Sequence, residues 1–171
     1  MKSTGVTRKI DELGRIVIPK EIRKNLGIRD GESLEIFTEN DSIILKKHFI
    51  MEKYEQLSKK LCESIFNIYK INVIITDREK VIASSFLTGI LKKKINEKMK
   101  FYIDNREMYI SGDLIDINFD DFSIKGYVGF VPIIVESDSL GLVILVDDAK
   151  EIDLNLGKFI AKLLVDKIDV G

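Results

Sequence analysis

The sequence predicts an α+β protein in two parts joined by a helix, and three observations predict it. Short apolar runs in the first 48 residues are punctuated by turn residues and enclose one short helix. From Ile50 the apolar spacing then changes to that of a helix. After Tyr69, strand-like runs alternate with helical ones.

The first part centres on Asp11-Glu12-Leu13-Gly14-Arg15-Ile16-Val17-Ile18-Pro19-Lys20-Glu21-Ile22-Arg23. Val6–Ile10 reads as a strand, and Gly14 permits the tight turn into a second strand at Ile16–Ile18. Pro19 suits the first position of a helix and Gly27 its stop. Asp30-Gly31 turns the chain into a strand over Ser33–Thr38, and Asn40-Asp41 turns it again into Ser42–Lys47. The reading is therefore four short strands and one helix of one or two turns. A segment of this size buries little core alone, yet it is rich in apolar residues, which implies an obligate dimer.

The formal net charge of −1 argues by itself against nucleic acid, but its distribution does not. Residues 1–29 hold eight basic groups against three acidic ones, net +5, and the remainder carries −6. A basic end on an acidic body suits a chain that meets phosphate at one end; a solvated charged face is the alternative. Asp11, Glu12 and Glu21 read as turn and helix-start residues rather than as an acid–base pair.

Lys2-Ser3-Thr4-Gly5, Arg8-Lys9-Ile10-Asp11-Glu12-Leu13-Gly14-Arg15, Val17-Ile18-Pro19, Leu34-Glu35-Ile36 and Ile44-Leu45-Lys46-Lys47 together resemble the AbrB-type DNA-binding domain. The resemblance implies a dimeric swapped-hairpin β-barrel in which two chains interleave their strands, abolishing free edges. It implies DNA contact at Arg8, Arg15, Arg23 and Lys24, with Lys9 and Lys20 as further basic groups and double-stranded DNA as the partner. Lys24 stands where relatives carry Arg, so bidentate guanine contact is lost there while the charge is kept. Recognition would lean on phosphate contact and DNA shape, because so short a helix offers few base-reading side chains.

Ile50, Tyr54, Leu57, Leu61, Ile65 and Ile68 recur at spacings of 4, 3, 4, 4 and 3, an apolar stripe on a helix joining the two parts. It packs either on its own second domain or on its counterpart in another chain. Pairing across the dimer is favoured, through Tyr54, Leu57, Leu61 and Ile65. Cys62, beside the stripe, reads as a small packing residue.

In the remainder, Ile71–Thr76 and Val81–Ser84 form a hairpin, Thr88 to about Lys100 a helix and Met108–Ser111 a short strand. Asp113–Asp121 reads as an acidic loop, Gly126–Val135 and Leu140–Val146 as a hairpin, and Ile152–Ile168 as a closing helix. This order matches a GAF-like or PAS-like α/β sandwich with a central antiparallel sheet. The order of domains, an AbrB-type module followed by about 120 residues, resembles sporulation regulators whose second part is a GAF-like sensor. A pocket between its sheet and the 86–111 region would be lined by Phe101, Tyr109, Phe130 and Pro132, residues that an ordinary core would use equally.

The expected organisation is residues 1–48 for DNA binding, 49–68 for the connector and 69–171 for sensing or oligomerisation. One His and one Cys exclude a conventional zinc site, and no nucleophile elbow or phosphate-cradling loop is present, so no catalytic residue, metal or cofactor is expected. No apolar run spans a membrane and no signal-peptide core opens the chain, so the expectation is a cytoplasmic transcription regulator of sporulation genes. It would assemble as a homodimer or homotetramer and answer to an unidentified small-molecule effector. An antitoxin-like interaction module on the same N-terminal fold is the alternative, although the second part lacks the polar composition of a wrapping tail.

Overall fold

The structure, a computed structural model, describes residues 4–85 and 87–168; Lys2 lies outside them, as does Phe86, where the expected pocket region begins. The chain divides into two compact units, Met1–His48 and Phe49–Gly171.

The first unit holds α1 (Lys20–Leu26), β1 (Leu34–Glu39) and β2 (Ser42–Lys47). Pro19 precedes α1, and Gly27 ends it in the left-handed conformation at φ 63°, with its N–H on the Lys24 carbonyl. β1 and β2 form an antiparallel hairpin across the Asn40-Asp41 turn. The expected strands at Val6–Ile10 and Ile16–Ile18 form no ladder. A strand exists through its partner's hydrogen bonds, and one chain supplies none for these segments. Among the described residues of this unit none is buried: Ile10 is 62% exposed, Val17 72%, Ile36 68% and Ile43 66%.

The second unit is built on a six-stranded antiparallel sheet of β3 (Asn72–Thr76), β4 (Val81–Ser84), β5 (Tyr109–Ile110), β6 (Ile115–Phe119), β7 (Phe122–Val135) and β8 (Asp138–Asp147). The order is β4-β3-β8-β7-β5, with β6 paired to the first half of the long β7. Period-two alternation sends Val73, Ile75, Val131, Ile133, Val143 and Leu145 to one face. There α2 (Glu55–Tyr69) and α4 (Leu154–Ile168) cover them with Cys62, Ile65, Ile160 and Leu164. The opposite face carries Ile74, Val128, Phe130, Leu142 and Ile144 under Ile90, Ile95 and the Met99 and Ile103 side chains of α3 (Glu97–Asn105). Helices on both faces of one sheet make the unit an α/β sandwich, and the whole chain is α+β.

Three elements differ from expectation. The stretch 49–68 is not a free-standing connector: a 3₁₀ turn at Ile50–Tyr54 leads into α2, and both belong to the second unit. The α2 residues nearest the sheet are Ser58, Cys62 and Ile65, one position on from Leu57 and Leu61, because small side chains let the helix sit close. The helix expected at Thr88 to Lys100 is a 3₁₀ turn over Thr88–Ile90, then α3, whose start is set by Asn96 accepting from the Met99 N–H at 3.0 Å. Asp113–Asp121 contains β6 rather than a loop, with buried Ile117 and Phe119 alternating with exposed Asp116 and Asn118.

Candidate nucleic-acid interface

The basic residues of the first unit stand on three local structures. Arg8 and Lys9 lie on the extended, exposed segment before the first turn, and Arg8 Nη1 donates to the Thr7 carbonyl at 2.9 Å. Arg15 closes that turn. Lys20 and Lys24 are exposed on α1, one turn apart and so on one face, with Arg23 half-buried beside them.

The turn is organised by Asp11. Its N–H donates to the Arg15 carbonyl at 3.1 Å, and its carbonyl accepts from Gly14, which adopts φ 76°. Carboxylate Oδ1 accepts from the N–H groups of Leu13 at 3.0 Å and Arg15 at 2.8 Å, while Oδ2 accepts from Arg15 Nε at 2.7 Å. The Arg15 backbone N–H, and after it the guanidinium, hold the Asp11 carboxyl below the usual carboxylate range. The Arg15 side chain remains 71% exposed.

Arg23 is held differently. Its terminal Nη1 donates to the carboxylate of Asp30, seven residues on and past the Gly27 cap. The sequence offers little sign of this partner, because the pair forms only once Gly27 turns the chain. At the end of the hairpin, Lys46 lies over the Phe37 ring at 5.0 Å and His48 Nδ1 is 3.3 Å from Glu35 Oε2. The six expected DNA-contact residues are thus solvent-facing or half-buried.

The residues expected to dimerise through the helix divide. Ile65 is buried in the core of its own unit. Leu57 and Leu61 pack partly against that core, and the Tyr54 hydroxyl donates to the Lys167 carbonyl at 3.4 Å. Ile68, on the same stripe, is 72% exposed.

The residues expected to line a pocket differ in burial. Phe130 is fully buried, and its ring centroid lies 5.2 Å from Tyr109 and 5.6 Å from Tyr102. Pro132 is buried on β7, opposite Leu142. Phe101 points outward, 53% exposed, edge-on to Tyr102. Tyr102, on α3 beyond the helix expected from the sequence, is the ring that links Phe101, Tyr109 and Phe130. Among the described residues no group of His, Cys, Asp and Glu could hold a metal ion, and no helix is long and apolar enough to cross a membrane.

Comparison with known proteins supports this division. Residues 7–48 match the family described as antidote-toxin recognition MazE, bacterial antitoxin. Residues 53–167 match the family described as stage V sporulation protein T C-terminal, transcription factor. Stage V sporulation protein T of Bacillus subtilis (strain 168) is 36% identical over 152 residues, covering 85% of this chain and 84% of that protein. The solved N-terminal DNA recognition domain of the Bacillus subtilis transition-state regulator AbrB is 58% identical. That match covers 28% of this chain and 91% of that one, with a TM-score of 0.25. The GAF domain of the nutrient sensor CodY from Clostridium difficile covers 69% of this chain and 92% of its own at 14% identity and a TM-score of 0.47. With its C-terminal two thirds matched to that family and a full-length relative at this identity, the chain belongs to the stage V sporulation protein T family of transcription factors.

Proposed function

We propose that the chain is a DNA-binding regulator of sporulation genes, working in the cytoplasm as at least a dimer. The observation that carries this is the first unit. Its 58% identity to a DNA recognition domain coincides with a surplus of exposed basic groups at one end of an otherwise acidic chain.

Two copies of this unit would interleave the extended segments 6–10 and 16–18, giving them the ladder partners that one chain does not supply and removing the exposed apolar side chains from water. The two-fold presents each basic group twice along a duplex. Arg8, Arg15 and Arg23 carry the planar fork that suits guanine or phosphate, while Lys9, Lys20 and Lys24 act as point charges on phosphate.

In the second unit, Tyr54, Leu57 and Leu61, on the stripe that ends at the exposed Ile68, form the surface for pairing between copies; Ile65 serves the unit's own core. A small-molecule effector would act only by preferring one arrangement of the paired units over another. The reading has no role for a catalytic group. The MazE match keeps toxin binding as a second reading, weakened by a folded second unit where a wrapping tail would be needed.

Titration of the intact chain with duplex DNA across a salt series tests the proposal. Affinity should fall log-linearly with salt, the slope counting phosphates neutralised. Absence of binding at low salt would overturn it in favour of a protein partner.

A further inference from the structure

Two carboxylates each hold one of the interface arginines, and they hold them by different atoms. Asp11 takes Arg15 through Nε, on the flank of the guanidinium. That leaves the terminal pair, Nη1 and Nη2, which grips two acceptors end-on, as on guanine O6 and N7 or on a phosphate. Asp30 takes Arg23 through the terminal Nη1 itself, so an incoming acceptor must displace it.

We propose that Asp11 is a positioning residue for DNA recognition: it presents the terminal fork of Arg15 to the duplex while locking the turn that carries it. The inference rests on the DNA-binding reading above. Its support is that one carboxylate performs both tasks. Oδ1 fixes the backbone of Leu13 and Arg15, and Oδ2 fixes the side chain of Arg15 by a second, independent bond. A 71% exposed arginine without such a brace samples many rotamers, and ordering it on binding costs conformational entropy. The brace removes part of that cost before the encounter. A negative charge beside a DNA-contacting arginine is otherwise unfavourable, since it repels phosphate. Asp30 does only this, in competition with the ligand.

The two carboxylates therefore have opposite expected effects, although replacing either removes the same charge. In Asp11→Asn the amide oxygen can still accept from the backbone, but the amide nitrogen cannot accept from Nε. In Asp30→Asn the competing anion is removed from Arg23.

The test uses the full-length chain, a duplex selected by the wild type from a random-sequence pool, and a random duplex of equal length as reference. Asp11→Asn is expected to weaken the selected duplex by about five- to tenfold, the scale of one poorly placed arginine contact, with little change on the random duplex. Asp30→Asn is expected to tighten both. In an Arg15→Ala background, Asp11→Asn should change affinity by less than about twofold, because the residue acts through Arg15. A purely structural role for the turn predicts instead the same loss with or without Arg15, and that result would overturn the proposal. So would Asp11→Asn tightening both duplexes, which is the outcome of simple charge removal. If the wild type binds neither duplex at low salt, the DNA-binding reading itself falls, and the positioning role falls with it; if it binds DNA but selects no sequence, the positioning role alone falls.

Discussion

Ile36 faces Leu45 across the β1–β2 ladder, and both side chains stand in solvent, 68% and 44% exposed. Direct cross-strand pairs share a face, so Ile43, opposite Thr38, extends the same apolar surface. A two-stranded hairpin is at best marginal in water, and this one has no core beneath it within its own unit. On the dimeric reading proposed above, contact with a second copy would supply the burial that one chain does not give this unit.

Ile36→Asp should therefore unfold the first unit rather than merely weaken an interface. Hydrogen exchange is the measurement: β1–β2 amides protected in the wild type should exchange freely in the variant, while β3, β7 and β8 stay protected. Unchanged protection of β1–β2 would show that one chain stabilises its own hairpin.

Gly141 on β8 is fixed by close approach. A Cβ there would stand 1.9 Å from the Thr76 carbonyl oxygen and 2.9 Å from the Asp77 Cα, both backbone atoms of the neighbouring strand and turn. Neither can move without breaking the β3–β8 pairing, so Gly141→Ala should cost about 3 kcal/mol or more in denaturant unfolding of the second unit. A loss under about 1 kcal/mol would mean that the strands separate readily there.

Asp77 is buried at the end of β3. Its Oδ1 accepts from the Glu79 and Lys80 N–H groups, and Oδ2 is without a partner. Burial raises its pKa above the ordinary 3.8, outweighing those two hydrogen bonds. The sign follows: the folded state holds this proton more tightly than the unfolded state does. The favourable contribution is then complete below pH 3.8 and is lost as pH rises through the higher folded value. Asp77→Asn keeps the acceptor and discards the charge. It should be more stable than the wild type at pH 7, with the difference shrinking as pH falls toward 4; a constant difference between these pH values would contradict the account.

Cys62 is fully buried between α2 and the sheet, and burial pushes its thiol up to about 12. It should resist a disulfide reagent at pH 8 until the second unit is unfolded by denaturant, because neither access nor thiolate is available in the native state. Rapid stoichiometric labelling of the native protein would place Cys62 on an opening surface.

What could be read from the sequence was what local rules govern. Pro19 and Gly27 bracketed α1, and the apolar runs Gly126–Val135 and Leu140–Val146 around Glu136-Ser137-Asp138-Ser139 announced β7 and β8. β6 was hidden because acidic residues drew attention from the alternation of Ile115, Ile117 and Phe119. Ile90, Ile95 and Met99 fit a helical period, which points to a helix from Thr88, whereas α3 starts at Glu97. Ile90 instead ends the 3₁₀ turn, and Ile95 lies on an extended stretch that bridges Phe119 and donates its N–H to the Glu79 carbonyl. The strands expected at 6–10 and 16–18 find no ladder partner within one chain. At the site, Asp11 and Arg15 are four apart and visible as a pair, whereas Arg23 with Asp30 depends on the turn at Gly27.

The central claim is that the basic face of the first unit grips a duplex, and the most direct test compares the intact chain with Arg15→Ala and Arg23→Ala in DNA binding across a salt series. The variants are first shown to keep the wild-type oligomeric state. The account predicts that each variant binds more weakly, by about 1–3 kcal/mol if the lost contact was to a base, or with a salt slope smaller by about one if it was to a phosphate. Affinity and slope identical to the wild type in both variants would contradict it and remove these arginines from the interface.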